Sequence, residues 1–331
     1  MKKLLARHET FVFVAIVIFS AVITWQNPNF LTLENLFDLL KSYAFLGILA
    51  VGVLFVLISG GIDISFTAIA TIAMYVMAVV SIQYGGNMLT ALLIAATVGI
   101  LLGLINACII YFFKIHSIIA TIATLNIYYG ILTVLSGGKW IYALPTWFRD
   151  FADIKIFTLT NADDIKYGLS IVPVIWLVVV VIAWVILRYT LLGRGLYALG
   201  GNPASAKRVG FNTFRLQMFV YGFMGLLAGI AGVVQALLVQ TVAPNSIVGK
   251  ELDVIAAVVL GGASLFGGVG TVGGTVLGMT LIAVMSNGLT LMRVPSFWYN
   301  VFIGLIIIIS VGASAYQHKR KRQNTMLVDV E

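Results

Sequence analysis

Five basic residues, Arg188, Arg194, Lys207, Arg208 and Arg215, stand between two long apolar runs with no acid among them, and Gly193, Gly195, Gly200 and Gly201 punctuate the same stretch. These residue types form no catalytic constellation. What they offer is positive charge on a short, bendable segment that another body can grip. Within it Asn202-Pro203 reads as a helix N-cap followed by proline in the first helical position, Lys207 and Arg208 fall in the last turn, and Gly210 supplies a left-handed stop. The pattern predicts a short, capped, basic helix outside the apolar runs, and such a helix points to a separate soluble partner.

Other chemistry is sparse. His8, His116 and His318 are scattered without metal-ligand spacing, and no Ser/His/Asp or paired-carboxylate arrangement exists. The string Gly268-Val-Gly270-Thr-Val-Gly273 matches G-x-G-x-x-G, but no strand-helix-strand pattern surrounds it, so it carries no dinucleotide role. There is no G-x-x-x-x-G-K-[S/T] phosphate loop either. If ATP drives this protein, another chain binds it.

Two stretches break apolar sequence with paired glycines: Ser59-Gly60-Gly61-Ile62-Asp63-Ile64-Ser65, and Gly261-Gly262 running on to Gly267-Gly268. Irregular backbone survives at membrane depth only where it packs in protein or lines a watery cavity, so both are either pathway or hinge elements or tight turns between spans. Gly270, Gly273, Gly274 and Gly278 continue the second as a small-residue packing seam. Asp63 either caps the next helix through the amides of Ser65 or Phe66, or serves a gate or polar path. Asn106, Asn126, Asn287 and Asn300, with the aromatic run Phe297, Trp298 and Tyr299, are what a neutral polyol needs, but taken singly each amide suits interhelical packing better than ligand contact. Gly60, Gly61, Asp63, Asn126, Asn287, Phe297 and Trp298 are the candidates for a pathway or gate.

The elements that must position these groups follow from composition. With 61% hydrophobic and 10% charged residues over 331, and a mean hydropathy of +1.06, the chain is an all-α polytopic membrane protein. About ten spans are expected, at 11–25, 44–60, 64–83, 89–113, 117–136, 170–188, 214–239, 251–267, 271–291 and 296–314. With both termini cytoplasmic, Lys2, Lys3, Arg7, Lys114, the basic segment and Lys319–Arg322 lie inside, and acids such as Glu34, Asp38, Asp150, Asp153, Asp163, Asp164 and Glu251 lie outside. The net charge of +8 is thereby a matter of orientation, and no nucleic-acid partner is expected. Residues 1–314 form one transmembrane domain with a cytoplasmic segment at 189–213 and an external loop at 137–169; residues 315–331 form a basic tail suited to membrane lipid.

Four stretches in order carry a resemblance: Ser59-Gly-Gly-Ile-Asp-Ile-Ser65; Ile119-Ala-Thr-Ile-Ala-Thr-Leu125; Gly193-Arg-Gly-Leu-Tyr-Ala-Leu-Gly-Gly-Asn202; and Glu251-Leu-Asp-Val-Ile-Ala-Ala-Val-Val-Leu-Gly-Gly262, continued by Asn287-Gly-Leu289 and Ser296-Phe-Trp298. Over nearly its whole length the chain resembles the permeases of bacterial sugar-type ABC importers, the group that includes ribose, galactose, xylose, rhamnose and autoinducer-2 permeases. It departs at Phe66-Thr67, where the family's first motif usually reads Val-Gly. The resemblance implies an importer in the bacterial inner membrane, built from two permeases, identical or paralogous, an ATPase that binds ATP and Mg, and a periplasmic sugar-binding protein. It implies no cofactor in this chain. It further implies that Asn202–Gly210 is the coupling helix docked on the ATPase, with Gly193, Arg194, Asn202, Pro203, Ala206, Lys207, Arg208 and Gly210 as the coupling residues. An ion-coupled secondary transporter would place more titratable groups in mid-span than Asp63 and Asp253, and an intramembrane enzyme would need more than Asp163-Asp164.

Overall fold

The computed structural model describes residues 8–160, 164, 166–295, 297–305, 308 and 312. Lys2, Lys3, Arg7, Asp163, Ser296, most of the last expected span beyond 305 and the basic tail lie outside the described residues. The helices are α1 His8–Gln26, α2 Leu33–Ile58, α3 Phe66–Tyr84, α4 Met88–Phe113, α5 Ser117–Ser136, α6 Thr146–Ala152, α7 Val172–Tyr189, α8 Leu191–Gly201, α9 Pro203–Arg208, α10 Thr213–Val239, α11 Glu251–Leu260 and α12 Val272–Leu291. Residues 297–305 are also helical. Among the described residues, eight of these helices are long and apolar enough to cross a membrane, namely α1–α5, α7, α10 and α12.

Local chemistry starts and stops them. Thr32 accepts from the Asn35 amide at the head of α2, Asn87 and Thr90 form a reciprocal capping box on α3's successor α4, and Thr271 accepts from the Gly274 amide to open α12. Left-handed residues end α4, α5 and α10 at Lys114, Gly137 and Gln240.

The centre of the bundle is α10, packed between α4 and the α2/α3 pair, and small residues let it approach. A Cβ on Gly99 would sit 2.0 Å from the Gly225 carbonyl oxygen, and one on Gly225 would sit 2.0 Å from that of Gly99; Gly103 and Gly229 meet the facing backbone at 2.2 Å. Two G-x-x-x-G pairs, one on each helix, thus bring backbone against backbone, where dispersion rather than water exclusion holds spans together in lipid. The expected glycine seam exists too: Gly278 faces the Ala257 carbonyl at 2.0 Å and Gly274 faces that of Gly261 at 2.0 Å, fastening α12 to α11. By contrast α1 presents Phe11, Phe13, Ile18 and Trp25 outward, as a helix does when its other neighbour is lipid.

Two expectations need correction. The span expected at 251–267 is helical only as far as Leu260, because Gly261 and Gly262 end it and Gly262 takes a left-handed φ of 92°. Ten residues make a rod of roughly 15 Å, half a hydrocarbon layer. Irregular backbone flanks it on both sides, at 240–250 and 261–271. The second correction lies in the 137–169 loop, which carries α6 and an antiparallel hairpin of β1 Lys155–Thr160 with β2 Lys166–Ser170, so the fold is all-α apart from this one small ribbon among the described residues.

Candidate functional site

At one end of the bundle three glycine-bearing segments meet. Gly200, in the last turn of α8, faces the end of α2 so closely that a Cβ on it would lie 1.9 Å from the Ile58 carbonyl oxygen and 2.6 Å from the Gly268 nitrogen. A Cβ on Gly267 would stand 2.7 Å from both the Gly60 Cα and the Gly200 oxygen. Gly60, Gly267 and Gly268 have φ of 85°, 87° and 71°, a left-handed backbone that glycine adopts without strain. The Gly268 amide donates to the Ile58 carbonyl at 2.9 Å and the Tyr197 hydroxyl to the Gly270 carbonyl at 2.7 Å. Both glycine breaks are therefore fastened to α8.

Helix α9 follows directly. Asn202 accepts from the Ser205 amide at 3.1 Å, Pro203 is the first helical residue, and Gly210 takes φ of 92°. Ala206 is buried and anchors the helix, while Lys207 and Arg208 in its last turn, with Arg194 and Arg215 on either side, are exposed. Gly193 packs on the last turn of α7, 2.4 Å by its hypothetical Cβ from the Ile186 oxygen. The eight coupling candidates thus form one continuous ledge, basic outward and glycine-packed inward. Between that ledge and the first break lies a cavity of about 500 Å³ bordered by Gly60, Gly61, His116, Ser117, Lys207 and Tyr221.

The segment 61–64 is irregular backbone, with Asp63 and Ser65 buried and Gly61, Ile62 and Ile64 half-buried. Its amides at Ile62 and Ile64 donate to Ser117 Oγ and Thr121 Oγ1 of α5 at 2.9 and 3.2 Å. Asp63 folds back on this stretch: one carboxylate oxygen accepts from both the amide and the hydroxyl of Ser65, at 2.8 and 2.7 Å. The Ser65 amide is one of the two that the capping reading named, and Ser65 is the N-cap residue of α3, so Asp63 closes the turn that leads into that helix. Asn106 donates to Ser65 Oγ at 2.7 Å and accepts from the Tyr128 hydroxyl at 3.2 Å, linking the break to α4 and α5. Asn106 lies seven residues before Phe113, the end of α4, so this network sits roughly 10 Å inside the bundle.

Still deeper, the Thr67 hydroxyl donates to Glu251, and the Gly249 amide donates to both oxygens of the same carboxylate. Glu251 is buried, and these two donors to its carboxylate offset part of the cost of taking it out of water. The break at 59–65 enters from the ledge end and the irregular stretch 240–250 from the other, and they join at Thr67 and Glu251.

The remaining pathway candidates scatter. Asn287 exchanges two hydrogen bonds with Asn35 at 3.0 Å each and fastens α12 to α2. Asn126 is exposed on α5 and donates to its own helix at Ile122. Phe297 and Trp298 are exposed, on the helical stretch after α12. Gly60, Gly61 and Asp63 are together at the first break; the other four are not with them. The sequence singled out Thr67, Glu251 and Asp253 separately but not the Thr67–Glu251 hydrogen bond, nor Lys250, whose charge between apolar runs was the available signal.

The sequence profile described as branched-chain amino acid transport system, permease component, matches residues 35–311. Ribose import permease protein RbsC of Haemophilus influenzae is 33% identical over 312 residues, 93% of this chain and 94% of that protein. RbsC of Escherichia coli K12 is 33% identical over 301 residues, 90% and 91% of the two chains. Autoinducer 2 import system permease protein LsrC of Yersinia pestis is 32% identical over 297 residues, 89% of this chain and 81% of its own. No solved structure matches the chain.

Proposed function

The chain belongs to the family of branched-chain amino acid transport system permease components, and from that premise we infer that it is the permease subunit of an ATP-binding cassette importer for a sugar or sugar-like solute. The profile is described by amino-acid transport, but the relatives that match over nine-tenths of the chain are named for ribose import, and the sugar reading follows them. The observation that carries the mechanical part is the contact among Gly60, Gly200 and Gly267. A body that pushes on α9 moves α8, and α8 has no compliant side chain between it and either break.

In this reading α9 faces the cytoplasm and docks on the ATPase, which binds ATP and Mg in its own chain. Both termini lie inside, the 137–169 loop faces the binding protein, and a second permease, identical or paralogous, completes the pathway in the inner membrane. ATP-driven closure of the ATPase shifts the ledge. The shift reaches the buried segments 59–65 and 261–271, and through Thr67 and Glu251 it reaches the stretch 240–250 entering from the outer side. Interfaces of this kind transmit small displacements because packed backbone is bistable, not soft.

The test uses the assembled importer in proteoliposomes with its ATPase and binding protein. The pair Asn202→Ala with Lys207→Glu removes the cap and reverses a docking charge, and uptake is expected to fall about tenfold or more while the chain remains inserted. Uptake at the wild-type rate would contradict the coupling role of α9. Transport by the purified chain without the ATPase would overturn the importer reading itself.

A further inference from the structure

Resting on the sugar reading, we propose that the cavity between α2, α11 and the end of α12 is a contact site for a neutral polyhydroxylated solute of monosaccharide size. It encloses about 590 Å³ and is lined by Tyr43, Lys250, Asp253, Ser286, Arg293 and Tyr299. That volume falls within the range of small-molecule pockets. Tyr43 lies fifteen residues before Ile58 on α2, so the cavity opens roughly 20 Å from the ledge, in the other half of the bundle.

The cavity bordered by Leu40, Trp176 and Val180 is apolar, whereas this one, like the cavity beside the ledge, has a polar lining, with Lys250, Asp253 and Arg293 in it. Lys250 Nζ meets Asp253 Oδ2 at 3.3 Å; the lysine side chain is 48% exposed and the aspartate 11%. The Tyr299 hydroxyl lies beside the Asp253 carboxylate, and the Ser286 hydroxyl beside that of Tyr43. Arg293 holds a left-handed φ of 56° just past the end of α12, a conformation that glycine fills without strain.

The chemistry selects the ligand. A carboxylate accepts from two neighbouring hydroxyls, an ammonium and a guanidinium donate to others, and two tyrosine rings offer faces to the apolar C–H surface of a sugar ring. Lys250 and Asp253 pair with one another and leave Arg293 as the one net charge in this lining, so the choice of an uncharged polyol follows from the sugar reading together with these donors and rings. The Gly249 amide that holds Glu251 adjoins Lys250, which ties the site to the stretch 240–250 and, through Thr67, to the first break. Solute contact and the ledge are thereby joined through the Thr67–Glu251 and Gly249–Glu251 hydrogen bonds and the short stretches of chain between them.

The experiment is uptake by the assembled importer, with the wild type first offered D-ribose, D-xylose, D-galactose and L-rhamnose. For the sugar it takes up, Asp253→Asn and Lys250→Met are each expected to lower the amount moved per ATP hydrolysed about tenfold, the scale of one lost charge-assisted hydrogen bond. A change that only loosened the fold would lower transport and hydrolysis together. In a Cys108→Ala background, Thr290→Cys at the cavity rim is expected to react with an impermeant maleimide, and the transported sugar is expected to slow that reaction. Wild-type transport per ATP in both variants, or no protection of the cysteine, would overturn the site and leave the importer reading standing. Uptake of none of the four sugars by the wild type would overturn the sugar reading and this inference with it.

Discussion

The ledge end of the bundle and the cavity in its other half are built by opposite means. At the ledge, Gly60, Gly200 and Gly267 bring three backbones together with no side chain between them, so position is fixed by peptide geometry. In the cavity, side chains do the work: Lys250, Asp253, Arg293 and two tyrosines stand around open space. The first arrangement has no room for an added atom, as a part that passes on displacement requires. The second leaves space lined by polar groups, as the proposed solute contact requires. A permease needs both, and the hydrogen bond from Thr67 to Glu251 is where one passes into the other.

The largest effect tests the ledge. Gly200→Val places branched carbon where a single Cβ is already 1.9 Å from the Ile58 oxygen, and it is expected to cost more than about 3 kcal/mol, read as loss of folded protein in detergent thermal unfolding. Gly201→Ala is the control, since a Cβ there meets nothing within 4 Å; equal damage from both would break the comparison.

An intermediate effect is expected at the first break. Asp63→Ala removes the acceptor of both Ser65 hydrogen bonds and should cost about 2 kcal/mol, whereas Asp63→Asn keeps that oxygen and should cost clearly less. The second carboxylate oxygen is buried without a hydrogen-bond partner, so its replacement by an amide loses no contact. Equal unfolding midpoints for the two variants would show that the turn is held by packing alone.

The smallest effect has the opposite sign. Arg293→Gly relieves a left-handed residue and is expected to raise stability by about 1 kcal/mol while lowering uptake. If both stability and uptake rise, the arginine has no part in the cavity and the contrast between the two regions loses its sharpest point.

Much of this was legible residue by residue. The capped helix Pro203–Arg208 needs only Asn202, Pro203 and Gly210, because caps and stops are local chemistry. The eight spans need only apolar length, and the seam at Gly274 and Gly278 only small residues at helical spacing. Asn126 and Asn287 show the limit: both are amides in apolar helices, yet one satisfies its own helix and the other pairs with Asn35, 252 positions away. Glu251 shows it more strongly, since orientation alone put it on the outer side and only the packed structure shows it buried against a threonine hydroxyl from another helix.

What the sequence determined by itself was the apolar surroundings, the long helices and the capped basic helix 203–208, all of which follow from hydropathy and from contacts within a few residues. Only the tertiary structure decided that three glycine pairs distant in the chain share one point, and that Lys250, Asp253 and Arg293 surround one space. The reason is physical: local patterns fix the backbone's path over one or two turns, while the meeting of distant segments depends on how whole helices pack, and that information is spread over every residue of both faces.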